Sequence, residues 1–309
     1  MSRALRKQML TMIDLLDKAN GALKAGLSAN RINENGIRQL LSDCQETAVT
    51  IGNELEMIYG VGTDLVHKLE EYHESLYQMT LVLKHPGKRY ELLKKLTGQI
   101  RQARKLLDSQ IPDRLETVFL PYKASMWNFM EHFWEASKND EDCDTYVVPI
   151  PYYERGSEGT FTSFHYEGDQ MPAHVPVTHY ENYDLQKRWP DIVFIQDPYD
   201  QTNPDISVDP RFYSQEVKKV VNTLVYISYL NNENLPEEDW DKTVKFCTAP
   251  GVVNADMVIV LSENIKKMYL DTLINTFGVS TKKDWENKIF SMRSHELKMY
   301  EKVKETGMN

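Results

Sequence analysis

The sequence predicts an α/β protein in which a helical amino-terminal segment precedes a parallel sheet with helices on both faces. Two observations predict this. Over the first part of the chain, apolar residues recur at spacings of three and four, which is typical of amphipathic helices. From about Arg114 onward, short β-branched runs alternate about six times with helical segments, which is the pattern of a parallel sheet wrapped by helices.

Length and charge limit the class of protein. The chain has 309 residues, 41% of them hydrophobic and 27% charged, which is typical of a globular protein. At ~150 residues per domain, this length predicts about two domains. The net charge of −10 argues against nucleic acid as a partner, because nucleic-acid binding needs a basic surface.

The ends, the cysteines and the apolar runs predict a cytoplasmic location. The start "MSRALRKQMLTMIDLLDKAN" is charged throughout and lacks the apolar core of a signal peptide. No apolar run approaches the ~18 residues of a membrane span. Three cysteines far apart in sequence, Cys44, Cys143 and Cys247, are typical of reduced thiols in a cytosol.

The helical segment is expected to cover residues 1–113. Its helices are separated by "YGVGTD" at 59–64, where Thr63 can cap a new helix, and by the turn "KHPGKR" at 84–89. Each amphipathic helix must bury an apolar stripe, so an antiparallel hairpin or bundle is expected. Because the stripes exceed what one small sheet can cover, the segment also predicts a homodimer through its helices.

A basic stretch lies within this segment. Residues 84–105 contain eight Lys and Arg and one acid, Glu91. Such a stripe is either a solvated helix face or a surface that touches phosphate or an anionic membrane. The sequence therefore leaves open a peripheral contact with the inner face of a membrane.

The sheet is expected in a Rossmann-like domain over residues 114–278, followed by a charged helical tail, 279–309, with no further strand. A loop over 151–173, rich in Gly and aromatic residues, is expected to be an ordered lid or rim of a cleft. The predicted strands are "TVFLPY" (117–122), "TYVVPI" (145–150), "HVPVTHY" (174–180), "DIVFI" (191–195), "TLVYISY" (223–229) and "ADMVIVLS" (255–262).

Several common motifs are absent from the sequence. It contains no G-x-x-x-x-G-K-[ST] loop and no G-x-S-x-G elbow, and "GVG" at 60–62 lies between helices and not after a strand. The acids of "DCD", Asp142 and Asp144, precede a strand and are interpreted as a turn. No histidine pair has a spacing that fixes a metal site. Neither a metal nor another cofactor is predicted.

Polar and aromatic residues follow the predicted strands where they end. Because the carboxyl ends of parallel strands share one edge of a sheet, these residues are expected to face a common cleft. Ser125 is predicted to cap a helix whose N-terminus favours anions. The alternative is that each residue is only a cap or a turn. A phosphate- or polyol-bearing small molecule or polymer is the predicted partner. The candidate ligand-binding residues are Lys123, Ser125, Tyr152, Asp197 and Tyr199, and the candidate catalytic residue is His179.

Three stretches resemble a known family. They are "VFLPYKASMWNFMEHFWEASKNDEDCDTYVVPIPYYER", "HYEGDQMPAHVPVTHYENYDLQKRWPDIVFIQDPYD" and "LVYISYL". They resemble the amino-terminal α/β domain of proteins from Gram-positive anaerobes that are classed with the CDP-glycerol glycerophosphotransferases. The resemblance covers residues 30 to 275 and implies a role in the synthesis of teichoic-acid-type cell-surface polymers. It also implies a two-lobed GT-B fold, in which the first lobe meets the acceptor and the second holds most of the donor nucleotide.

On this resemblance, His179 would deprotonate the acceptor hydroxyl, since imidazole titrates nearest neutral pH. Lys123 and the helix after it would stabilise phosphate charge. The chain ends soon after its last predicted strand, so a single GT-B-like lobe is expected, inactive alone as a transferase but retaining a weak ligand site. The alternative hypothesis is a non-catalytic interaction or regulatory protein that keeps this lobe and self-associates through its helices.

Overall fold

The computed structural model describes residues 1–28, 33–156, 159–230, 240–292 and 303–306. The chain divides into two compact units, residues 3–113 and residues 114–309. Among the described residues, no helix combines the length and the apolar character that a membrane span requires.

The first unit consists of four long helices. Thr63 caps the third helix by accepting a hydrogen bond from the Val66 N–H, as its place in the sequence predicts, and Asn33 caps the second in the same way. Pro86 begins the fourth, where a missing N–H costs nothing. The helices are α1 (Arg3–Leu27), α2 (Glu34–Tyr59), α3 (Asp64–Leu81) and α4 (Pro86–Gln110).

These helices form an antiparallel four-helix bundle. Each packs against the next in sequence, and α1 also packs against α4, so the bundle closes on itself. The apolar stripes meet in one core whose central residues, such as Leu41, Ile51 and Leu96, are fully buried. The bundle thus covers its own stripes, which removes the reason for expecting a dimer. The oligomeric state stays a prediction.

The second unit contains a six-stranded sheet, a three-stranded sheet and seven helices among its described residues, together with a helical turn at 303–306. The strands are β1 (Leu115–Leu120), β2 (Cys143–Val147), β3 (Tyr152–Arg155), β4 (Phe161–His165), β5 (Ile192–Ile195), β6 (Ile206–Val208), β7 (Thr223–Ile227), β8 (Met257–Val260) and β9 (Ile289–Ser291). The helices are α5 (Asn128–Lys138), α6 (Leu185–Arg188), α7 (Ser214–Lys218), α8 (Trp240–Cys247), α9 (Pro250–Asn254), α10 (Glu263–Phe277) and α11 (Lys282–Lys288).

The large sheet is entirely parallel, with strand order β2-β1-β5-β7-β8-β9. Helix α5 packs on one face through Met130, Phe133 and Trp134. Helices α6, α7 and α10 pack on the other face. The α/β class predicted from the sequence is confirmed, and β5 is buried along its whole length, as its apolar run predicts. The strand order reverses between β1 and β5, which is where such sheets bind ligands.

Two expectations about strands are wrong. The segment 174–180 is not a strand: it makes a single parallel bridge between Val177 and Val147. Pro176 has no N–H to donate, which limits this segment to that contact. The tail does contain a strand, β9, where Ile289 is fully buried beside β8. A strand of three residues is too short to produce a visible alternation in the sequence.

The loop predicted over 151–173 contains the β3–β4 hairpin of the second sheet. This sheet is antiparallel, with order β4-β3-β6. Its aromatic residues pair across the strands: the rings of Tyr153 and Phe161 stack with centroids 5.0 Å apart. The aromatic content that suggested a lid therefore belongs in large part to strand pairing.

Candidate functional site

The candidate site lies where the order of the large sheet reverses. There β1 ends at Leu120 and β5 ends at Ile195, side by side in register. Helices that cover opposite faces leave a crevice beyond these two strand ends. The segments that follow are "PYK" at 121–123 and "QDPYD" at 196–200. They place Lys123, Asp197 and Tyr199 at the crevice together with Tyr122.

Asp197 follows β5 at this edge of the sheet. Its side chain is almost fully buried, at 7% exposure. One carboxylate oxygen accepts a hydrogen bond from the Tyr199 N–H at 3.3 Å, and the other accepts one from the Asp200 N–H at 3.1 Å. Burial raises the pKa of this carboxyl to about 7, although these two hydrogen bonds and the charge of Lys123 act in the opposite direction. Asp197 therefore holds a local turn and also titrates near neutral pH.

Lys123 supplies the positive charge. Its Nζ lies 5.6 Å from the ring centroid of Tyr122 and 5.4 Å from that of Tyr152, which are cation–π distances. The side chain is half-buried. Within the described part of the chain, Lys123 forms no salt bridge. Its charge is thus positioned by aromatic faces and is free to meet an anion.

Glu167 closes one side of the site. One of its carboxylate oxygens accepts a hydrogen bond from the Tyr152 hydroxyl at 2.8 Å, and the other accepts one from the Ala124 N–H at 2.7 Å. Burial raises the pKa of Tyr152 to about 12, and the hydrogen bond to Glu167 and the charge of that carboxylate act in the same direction. The loop residue Glu167 was not predicted, because nothing in its neighbourhood signals a contact 43 residues away.

Ser125 does not cap a helix. It lies exposed inside the 3-10 turn Ala124–Met126, and α5 begins only at Asn128. The first backbone N–H after Lys123 is taken by Glu167, so the chain itself provides an anion there. The prediction of a Ser125 cap is wrong because a 3-10 turn separates the strand from the helix. The adjacent Gln196, fully buried, ties this turn to β5 by donating to the Met126 carbonyl at 2.6 Å.

Aromatic side chains form the remaining wall. Tyr199 and Tyr229 both meet the ring of Phe246 edge-on, at centroid distances of 5.9 Å and 5.6 Å. Burial raises the pKa of Tyr122 and of Tyr229 well above that of a free phenol. These hydroxyls therefore stay protonated and can donate hydrogen bonds, which suits a polyol.

His179 directly precedes the 3-10 turn Tyr180–Asn182, which follows β4 in the chain. Its Nδ1 accepts a hydrogen bond from the Glu181 N–H at 3.3 Å, and its ring packs on Tyr166 and Tyr180 at 4.9 Å and 4.5 Å. In this arrangement a neutral ring carries its proton on Nε2. Its unprotonated nitrogen, Nδ1, already accepts the hydrogen bond from Glu181. No contact between described residues joins His179 to Asp197 or Lys123, and its role as a base stays a prediction.

Two contacts fix the backbone of the Asp197–Asp200 turn. Asp200 has a positive φ of 48° and is held by the N–H and hydroxyl of Ser214, at 2.9 Å and 2.5 Å. On the other side, the Gly251 N–H donates to the Pro198 carbonyl at 2.7 Å. A Cβ on Gly251 would lie only 2.8 Å from the Pro198 Cα, so this approach requires glycine.

Gly251→Ala is expected to destabilise the second unit by about 1–3 kcal/mol, because backbone atoms around Pro198 must move to admit the methyl group. All five tryptophans lie in residues 114–309, so denaturation followed by tryptophan fluorescence reports on this unit. Val253→Ala, at an exposed position of the same helix, serves as the control and should change stability by less than ~0.5 kcal/mol. Equal stability of the two variants would contradict the close approach.

The comparisons with known proteins gave no match: no family model, no curated protein and no solved structure matches the chain. Among the described residues, no group of three or more His, Cys, Asp or Glu side chains is arranged to hold a metal ion. The site is therefore interpreted from its own chemistry, which is a titrating carboxyl, an available cation and several phenols around one crevice.

Proposed function

We propose that the second unit binds a phosphate- or polyol-bearing acceptor in the crevice between β1 and β5. In this proposal it acts as the acceptor-side lobe of a glycerophosphotransferase-like enzyme. The observation that carries the proposal is the pairing of Asp197, a buried carboxyl with a pKa of about 7, with Lys123, a cation without a salt bridge among the described residues. The sequence resemblance suggests the reaction class and a role in teichoic-acid-type polymer synthesis at the inner face of the membrane.

Each group has a role in this chemistry. A base with a pKa near the working pH takes a proton from a polyol hydroxyl most effectively, and Asp197 meets this condition. The hydroxyl oxygen then attacks the donor phosphorus as the nucleotide leaves, and the proton stays on Asp197. Lys123 offsets charge on an acceptor phosphate. We assign the base to Asp197 in this proposal, with His179 as the alternative.

The proposal is tested by binding of glycerol 3-phosphate and CDP-glycerol to the full chain, measured by calorimetry and thermal shift. The expected affinity is millimolar to high micromolar, roughly −4 to −6 kcal/mol, because the surrounding surface is acidic. Lys123→Met should weaken binding by roughly tenfold, the cost of a lost charge-assisted contact. Lys267→Met, at an exposed position of α10, is the matched control and should leave it unchanged.

Two results would reject the proposal. One is the absence of binding by any phosphate or polyol in the series. The other is an equal affinity in Lys123→Met and Lys267→Met. Either result would favour the alternative of a non-catalytic interaction protein.

A further inference from the structure

A groove on the four-helix bundle, remote in sequence from the crevice, has the character of an anion site. It lies between α1 and α4 and has a volume of about 360 Å³. Its lining includes Asn20, Lys24, Tyr90, Lys94, Thr97 and Arg101. A volume of this order accommodates a small phosphorylated molecule or a headgroup.

The charges along the α1–α4 seam are paired at one end only. Arg6 forms a salt bridge with Asp108 at 2.9 Å, and Asp14 pairs with Arg104. At the groove the seam continues with Lys24, Lys94 and Arg101. None of these three forms a salt bridge or side-chain hydrogen bond within the described residues. Three cations around one groove repel each other, and a bound anion would relieve that repulsion.

A buried donor at the base of the groove points to the same ligand. Asn20 is 3% exposed, and its Oδ1 accepts a hydrogen bond from the Tyr72 hydroxyl at 3.0 Å. Its Nδ2 is buried and donates to no described residue. A buried N–H group without an acceptor is costly, so an acceptor oxygen in the groove would be favoured there.

We propose that this groove is a second ligand site, which binds a phosphate group through Lys24, Lys94, Arg101 and the Nδ2 of Asn20. Phosphate matches these donors because it offers several acceptor oxygens and a charge of about −2 to a cluster of cations. The phosphate can belong to a soluble molecule or to a lipid headgroup, since both present the same oxygens. This site goes beyond the proposed function and does not depend on it.

The test is a calorimetric titration of the full chain with inorganic pyrophosphate at low salt. Lys94→Met/Arg101→Met is expected to weaken binding by roughly tenfold to a hundredfold, because two charge-assisted contacts are lost. Lys95→Met/Lys105→Met removes the same number of charges from exposed positions of α4 outside the groove, so it should change affinity less than twofold. Lys123→Met should leave the affinity of the groove for pyrophosphate unchanged, which distinguishes the groove from the crevice between β1 and β5.

Asn20→Asp provides a second variant if the double variant folds poorly. It keeps an oxygen for the Tyr72 hydroxyl, removes the free donor and adds a negative charge, so pyrophosphate binding should be lost while helix content by circular dichroism is retained. Vesicles of phosphatidylcholine with phosphatidylglycerol identify the source. Sedimentation with vesicles that is lost in Lys94→Met/Arg101→Met, and competed by pyrophosphate, supports a lipid headgroup.

Binding of pyrophosphate without vesicle binding supports a soluble ligand. Failure to bind either probe, or equal losses in the groove variant and its charge-matched control, would overturn the proposal.

Discussion

Arg188→Met is expected to lower the free energy of unfolding of the second unit by about 3–5 kcal/mol, the loss typical of removing one partner of a buried ion pair. Arg188 donates from Nε and Nη2 to the two carboxylate oxygens of Glu116, at 2.8 Å and 2.7 Å. The Glu116 side chain is 1% exposed. Without Arg188, this buried carboxylate would lose both hydrogen bonds from the guanidinium.

Two tyrosines also contact the ion pair. The Tyr183 hydroxyl also donates to Glu116, and Arg188 donates to the Tyr146 hydroxyl at 3.0 Å. The guanidinium lies 4.7 Å and 5.0 Å from the ring centroids of Tyr146 and Tyr183. A methionine at position 188 could fill the volume between these rings, but it has no N–H group to donate to the Glu116 carboxylate.

Tryptophan fluorescence during guanidinium denaturation measures this loss. Glu116→Gln/Arg188→Met removes both charges, so its loss should fall well below the sum of the two single losses. Lys187→Met, at the exposed neighbouring position, should change stability by less than ~0.5 kcal/mol. A loss below ~1 kcal/mol in Arg188→Met would show that Glu116 is not dependent on this partner. Because Glu116 is at the amino end of β1, ligand binding at the opposite end should persist.

The sequence predicted the elements whose causes are local. The apolar run predicted β5, and the spacing of apolar residues predicted the bundle helices. Both are observed because these apolar side chains are buried in the core. The Thr63 cap also followed from neighbouring residues. In the candidate site, Lys123 and Asp197 were predicted to lie at one edge of the sheet because the ends of parallel strands share that edge. Their role in ligand binding stays a prediction.

The parts that sequence reasoning missed depend on partners distant in the chain. Glu116 stands in a buried strand, where an acid alone would argue against the strand. Arg188, 72 residues later, donates two hydrogen bonds to it. Glu167 reaches the Ala124 N–H in the same way and occupies the position expected for a ligand anion. The pKa of Asp197 is likewise a product of burial in the assembled sheet, since its own sequence signals only a turn.

Asp197→Asn is expected to abolish a pH dependence of stability that the wild type shows between about pH 4 and pH 7. The pKa of this carboxyl is raised from the ordinary 3.8 to about 7, chiefly by burial. In that window the folded state therefore holds a proton that the unfolded state has released. Stability falls with rising pH wherever the folded state binds more protons, so this carboxyl costs stability as pH rises to 7 and adds no further change above it.

The measurement is the difference in free energy of unfolding between Asp197→Asn and the wild type, followed by tryptophan fluorescence at pH 5 and at pH 8. Other carboxyls titrate in both proteins and largely cancel, including Asp200, whose pKa burial raises to about 6. The difference should shift in favour of the variant by ~3 kcal/mol between the two pH values. Asp205→Asn, an exposed carboxyl of the same loop, should show no such shift.

This result bears directly on the role of the crevice. A carboxyl that keeps its proton to about pH 7 costs the fold free energy at neutral pH, and a turn residue alone gives no reason to maintain that cost beside an available cation. Two results together would support one ligand-binding site that contains both groups. They are a pH-dependent difference in the free energy of unfolding between Asp197→Asn and the wild type, and weaker ligand binding in Lys123→Met. An identical difference at pH 5 and pH 8 would mean that Asp197 is ionised throughout this range, and it would then serve as the cap of its turn and not as a base.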